Sequence, residues 1–405
     1  MPDTKVLINC NLFDGLSPQV QPDRYVLVHR GEIAEIGPSG SAPAPDGAAT
    51  IDLQGSYLMA GLFNMHTHFS LALPGALAES VRSMSPHELA LYVASGARRT
   101  LMCGVTTVRC VGEIDHVEFA LRSAIAARRA EGPRILAAGR ALVCTGGHGH
   151  ESPSTLECDG PDGFVRGTRA QIKAGADLIK VMISGGIAGL HETIETVPLT
   201  PEELAATIVT AHAWGRKVTA HAGPARIIGP AVEQGLDCVE HGYQLTEEVA
   251  RQMSDRGVAL VPTLGVTRCK DFFDSLGVPG WMQERSLSAA PEHERSYRLA
   301  LAAGVPVMLG SDLPPFWQTD GTSATVRELE HMEAFGLPPR EALLAATQVP
   351  AAWLGIDEQV GSVEPGKRAD LIAMRQDPTA TVSALRTMHW VMKDGNVCRD
   401  DAWVR

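Results

Sequence analysis

Between about Ser56 and Gly355 the chain repeats one pattern: a short run of apolar and β-branched residues, then a longer stretch of helical character. Eight such runs can be counted, LFNMHTH (62–68), VTTVR (105–109), RILAAG (134–139), LIKVMI (178–183), KVTAHA (217–222), CVEHG (238–242), VALVPTL (258–264) and VPVMLGSD (305–312). Strands alternating with helices are the signature of βα units and a parallel sheet, and eight is the number that closes a (β/α)8 TIM barrel. The helix between the fourth and fifth runs carries its own start signal. Thr200 is placed to cap it, Pro201 to open its first turn, Glu203 to complete a capping box and Gly215 to end it.

The flanks read differently. From Lys5 to Gly55, short β-type runs (KVLINC, YVLVHR, EIAEIG) are broken by Gly, Pro and Asp, and ADLIAMR and TMHWVMKDGNVCRD repeat that character near the other end, with Asp394-Gly395 as a hairpin turn. The two ends therefore look like halves of one β-domain. The expected organisation is a small β-sandwich formed by residues 1–56 and 358–405, with the barrel in 57–357. A length of 405 residues suits a barrel plus an accessory domain.

Composition narrows the class of partner. A net charge of −12 without a Lys/Arg cluster argues against nucleic acid and anionic membranes and favours a small-molecule substrate. No run of about 18 apolar residues is present, and the first residues, MPDTKVLINCNLFDG, lack a basic then apolar leader, so a cytoplasmic location is expected. The eight cysteines show no CxxC pair or framework spacing and are expected to be reduced. Association with further copies of the same chain is also expected.

Five of the runs carry a potential metal ligand, and barrel enzymes place their sites at strand C-terminal ends. His66 and His68 are spaced i, i+2, so on a strand both imidazoles share the face turned to the barrel interior. His221, His241 and Asp312 end the fifth, sixth and eighth runs, where a polar residue is costly without a partner that a metal would supply. Lys180 sits inside LIKVMI; buried there it must be neutralised, ion-paired or chemically changed, and a carboxylated lysine would become an anionic bridging ligand. Singly, each has a blander explanation. A histidine in an apolar run is usually a satisfied core residue, and a lysine usually snorkels. Six such residues in this order, at the ends or interior of five predicted barrel runs, point instead to a metal centre.

The series AGLFNMHTH, TGGHGH, LIKVMISGG, VTAHA, VEHGY and LGSD, followed by GSVEPGKRADLIAM, resembles the amidohydrolase superfamily over nearly the whole chain. Within it the chain is similar to the binuclear branch of prolidase-like and carboxypeptidase-like dipeptidases related to imidazolonepropionase, because Lys180 is present and TGGHG follows the third strand. The resemblance implies two divalent ions, most simply Zn2+. His66, His68 and Asp312 would hold the more buried ion, His221 and His241 the other, and Lys180, bearing a CO2-derived carboxylate, would bridge them with a hydroxide. It also implies that His148 and Tyr243 face the substrate, polarising the scissile carbonyl or holding a carboxylate. One position departs from the family's pattern: Asn64 stands where an Asp is customary, which would remove a supporting charge beside the histidine pair.

The expected reaction is hydrolysis of an amide (peptide-like) C–N bond, with Asp312 as general acid/base and His148 polarising the carbonyl. A dipeptide or N-acyl amino acid is the expected substrate, and an uncharged amide, carbamate or urea the alternative. A mononuclear deaminase or cyclic amide hydrolase would not need Lys180, and a non-catalytic barrel would be expected to lose a ligand. Arg226, after the fifth strand, is the candidate carboxylate clamp. The glycines of ISGGIAGLHETIE, with His191 and Glu192, suggest a lid or substrate loop after the fourth strand; His150, two residues beyond His148, could reach the site or serve only its loop, and His212 is expected to be structural.

Overall fold

The computed structural model describes residues 3–71 and 73–401. Seven barrel strands fall on the predicted runs: Leu62–Thr67, Val105–Cys110, Arg134–Ala137, Ile179–Met182, Val218–Pro224, Cys238–Gln244 and Ala259–Val261. The ladders that join them are parallel. Every residue of the first, second and fifth strands is buried. That is what a sheet filled on its inner face and covered by helices on its outer face requires, and it explains why the runs read as continuously apolar rather than alternating. The third strand resumes after a break as Ala141–Val143, which meets the fourth through Leu142 and Val181.

The eighth run closes the barrel less regularly than its sequence suggests. Only Val307 forms a ladder bridge, to Leu260. Beyond it the backbone amides of Met65 and Asp312 bond to Leu309 O and His66 O at 2.7 and 2.8 Å. Residues 345–346 take up the rest, Ala345 O accepting from Leu309 N and Ala346 O from Phe63 N. Two strands that share their hydrogen bonds with an inserted segment cannot complete a full ladder. Gly310 belongs to this seam, since a Cβ there would lie 2.7 Å from His66 N.

The helix over Pro201–Ala213 opens with the expected capping box on Thr200 and Glu203, and Gly215 lies just past its end at φ 65°. The terminal segments share one eight-stranded sheet in which Leu371–Met374 pairs antiparallel with Tyr57–Ala60, the four residues just past Ser56. Asp394 and Gly395, both with positive φ, make the tight turn between Met388–Lys393 and Asn396–Asp400. This β-sandwich has its own core around Leu7, Val26, Leu58, Leu371 and Trp390, separate from the main barrel cluster.

Candidate metal centre

The C-terminal ends of the strands converge on a cavity of about 160 Å³ whose lining includes His66, His68, His148, Lys180, His221, His241, Tyr243 and Asp312. The backbone is bent to bring them there. His241, Thr263 and Asp312 all sit in the left-handed region, at φ 67°, 53° and 55°. Such conformations cost of order 1–3 kcal/mol for non-glycine residues and persist where the surroundings over-determine them.

Each imidazole is gripped from outside. His66 Nδ1 lies 2.8 Å from Glu240 Oε2, His68 Nδ1 donates to Gly112 O at 2.8 Å, His221 Nε2 donates to Gly185 O at 3.1 Å, and His241 Nδ1 lies 2.6 Å from Thr263 Oγ1. A carbonyl or carboxylate can only accept, so the gripped nitrogen of His66, His68 and His221 carries the proton, and the other nitrogen of the neutral ring offers a lone pair inward. Burial, and then the neighbouring rings and Lys180, push His221 and His241 well below the ordinary histidine range and keep them neutral.

The inner atoms are close. His66 Nε2 is 3.3 Å from His68 Nε2, and Asp312 Oδ1 is 3.1 and 3.3 Å from those two nitrogens. Burial opposes charge on His68, yet Asp312 outweighs it and raises the imidazole above its ordinary range, so positive charge is favoured beside that nitrogen. The donor atoms of His66, His241 and Asp312 lie within 4.8 Å of one another. The rings of His221 and His241 are 4.6 Å apart, so the second pair adjoins the first. Lys180 is fully buried, and among the described residues no carboxylate lies within ion-pairing distance of it. Burial, only partly offset by Glu240 and Asp312, lowers its amine to about 8. Four inward nitrogens, a carboxylate and an easily neutralised amine form a donor set that suits divalent ions.

Beneath the histidines lies a support that sequence reasoning missed. Glu240 is wholly buried and accepts from His66 Nδ1, Arg109 Nη2 and Thr219 Oγ1. Burial works against its charge, but Arg109, then His66 and Lys180, hold its carboxyl well below the usual range. Asn64, expected to matter as a lost charge beside His66, does something else. Its amide donates to Ser311 Oγ at 2.9 Å and Thr325 Oγ1 at 3.1 Å, so it ties the first strand to the eighth, and the carboxylate partner of His66 is Glu240. Glu113, also missed, accepts from the amides of Phe69 and Ser70 and pins the turn after His68.

The remaining candidates divide. Tyr243 stacks on His241 at 5.1 Å with His293 against its edge, and burial, with Asp312 nearby, raises its phenol well above the ordinary range, so it stays a neutral donor. His148 stacks on His221 at 4.1 Å and bonds through Nδ1 to Glu192. Arg226 is not brought to the cavity: it is more than half exposed and pairs with Glu195, because its place in the first turn of the helix over Ala225–Glu233 points it at the neighbouring loop. His150 turns back on Gly147 O, and His212 pairs with Asp237 on the surface.

The amidohydrolase family model matches residues 57–398, almost the entire span that builds this arrangement. The chain belongs to the amidohydrolase family. Among its amidohydrolase relatives, ochratoxinase from Aspergillus niger is 27% identical over 359 residues, covering 81% of this chain and 72% of that one. Imidazolonepropionase from Geobacillus kaustophilus is 26% identical over 381 residues, covering 86% and 82%. A solved Xaa-Pro dipeptidase with methionine bound in its active site is 29% identical with a TM-score of 0.87, covering 97% of this chain and 99% of its own. This amidohydrolase is therefore a hydrolase acting on amide-type carbon–nitrogen bonds. Among the described residues no helix is long and apolar enough to cross a membrane.

Proposed function

We propose that this amidohydrolase is a binuclear metal-dependent enzyme that cleaves the amide bond of a dipeptide or N-acyl amino acid bearing apolar groups. The observation that carries the reading is the convergence of four inward imidazole nitrogens, Asp312 and Lys180 at the floor of one apolar cavity. His66, His68 and Asp312 would hold one ion and His221 and His241 a second, with a carboxylated Lys180 between them. When bound, the ions, most simply Zn2+, would supply Lewis acidity toward the carbonyl and a water acidic enough to act as nucleophile near neutral pH.

The chain's own groups do the rest. Burial would raise the Asp312 carboxyl, but His66 and His68 hold it well below the carboxylate range, so it enters the reaction ionised and able to take a proton. From the end of the eighth strand it would return that proton to the leaving amine. His148 and the neutral Tyr243 phenol flank the same space and would hold the carbonyl or the substrate carboxylate. Leu71, Leu73, Met182, Val266, Phe273 and Met282 line the cavity, exclude water and suit an aliphatic or aromatic side chain. Methionine, the amino acid in the dipeptidase relative's active site, is a ligand of that kind.

One observation favours a second reading, an uncharged amide, carbamate or urea: among the described lining residues Lys180 is the sole lysine and there is no arginine. A single panel separates the two. Metal-loaded protein is assayed on N-acetyl-phenylalanine, Leu-Phe and their C-terminal amides, alongside metal stoichiometry. Two ions per chain and preference for the free acids support the proposal; preference for the amides supports the second reading. One ion per chain, or no hydrolysis of any of them, refutes the proposal.

A further inference from the structure

The loop that follows the fourth barrel strand carries three glycines, Gly185, Gly186 and Gly189, and the structure shows what each makes room for. A Cβ on Gly186 would lie 2.5 Å from His148 Cε1, so the loop backbone is packed against that ring, on which His221 also stacks at 4.1 Å. A Cβ on Gly185 would meet Glu192 Oε2 at 2.9 Å, and one on Gly189 would overlap the same carboxylate. Gly185 also makes room for the Thr193 carbonyl, which such a Cβ would overlap, but what all three glycines border is the His148–Glu192 pair, whose members come from different loops and are 44 residues apart.

The cradle is itself anchored. Arg285 donates to the carbonyls of Gly186, Ile187 and Gly189 at 3.3, 3.1 and 2.5 Å. Glu192 is half-buried with its carboxylate on His148 Nδ1. Burial opposes its charge, but His148, the Gly186 amide and Arg285 more than compensate and keep it ionised. With Nδ1 committed to Glu192 and the ring packed against Gly186 and His221, Nε2 is the nitrogen of His148 left to the cavity it lines.

We propose that Glu192 is the positioning residue of the site: it fixes the rotation of His148, through its Nδ1 proton, so that Nε2 meets the substrate. This rests on the proposed function only in assigning a substrate contact to His148. Glu192 needs no contact with substrate or metal, and its effect passes through His148 alone.

Two measurements on the full-length protein test it. Protein labelled with 15N-histidine is expected to show a hydrogen-bonded imidazole Nδ1–H resonance that His148→Asn removes and Glu192→Gln shifts upfield; a resonance unchanged by Glu192→Gln overturns the proposal. On N-acetyl-phenylalanine, Glu192→Gln is expected to lower kcat/KM by about 10- to 100-fold, the worth of one charge-assisted hydrogen bond, with metal content unchanged. In a His148→Asn background the same substitution is expected to cost nothing further. Wild-type activity in Glu192→Gln, or an equal loss in both backgrounds, overturns it. If the wild-type enzyme leaves the probe intact, the proposed function fails on that substrate while the resonance still decides the role of Glu192.

Discussion

Replacing Glu240 by Gln changes one atom in a site where three N–H and O–H donors, with the Cys238 thiol behind them at 3.7 Å, meet two carboxylate oxygens, and the consequence can be worked through atom by atom. Oε1 receives Arg109 Nη2 and Thr219 Oγ1, and Oε2 receives His66 Nδ1. A glutamine has one oxygen, which the Arg109 side claims, so its NH2 faces His66 Nδ1. The imidazole relieves the donor–donor clash by moving its proton to Nε2, the nitrogen that faces Asp312 at 3.1 Å. A protonated Nε2 cannot ligate, so metal affinity should fall by at least the 10- to 100-fold typical for loss of such a partner. Stability should fall as well. Arg109 and Glu240 are both fully buried, and leaving one half of a buried ion pair uncompensated costs about 3–5 kcal/mol. With about 2.1 cal/mol/K of unfolding entropy per residue over 405 residues, that corresponds to a fall of roughly 4–6 °C in Tm. The assay is a thermal melt of the metal-free protein, which separates the ion-pair term from stabilisation by bound metal, followed by titration with metal against a competing chelator. A Glu240→Gln protein with wild-type metal affinity and melting temperature would refute both the tautomer argument and the assignment of Glu240 as the keystone of the site.

Four further outcomes are expected. Carboxylation requires a neutral amine, and because Lys180 titrates near 8, metal loading of the stripped protein should accelerate with added bicarbonate as pH rises through about 8. In metal-free, bicarbonate-free protein the same depression makes the unfolded chain the better proton binder between about 8 and the ordinary 10.5, so stability should rise across that window; a flat profile by denaturant titration contradicts it. Asp312→Asn should cut kcat by about 10²–10⁴-fold, the usual worth of a general acid/base, while much of the metal stays bound by elemental analysis; near-normal turnover sinks the role given to Asp312. Arg226→Ala should change kcat/KM less than about twofold, as a surface substitution away from the site does, and a large rise in KM would restore it as a carboxylate clamp.

What the sequence disclosed and what it withheld follow from the range of each signal. Alternation along a strand is local, so His66 and His68 could be paired from their spacing, and the strand-end rule located His221, His241 and Asp312 without knowledge of any neighbour. Glu240 is adjacent to His241, where alternation gives no reason to look for a partner of the site. In a regular strand, residues 240 and 241 face opposite ways, yet both reach the centre, because the left-handed backbone at His241 breaks the alternation at that step. A different signal was available. VTTVR and CVEHG each place one charge in an otherwise buried run, and two such charges inside one barrel must answer each other, as Arg109 and Glu240 do. Glu192 had no comparable marker. Its partner lies on another loop, and only the space left by Gly185, Gly186 and Gly189 betrays what the loop was built to hold. The metal donors were therefore legible because barrel topology fixes where strand ends go, whereas the groups that orient those donors depend on contacts between strands and loops that no local period encodes.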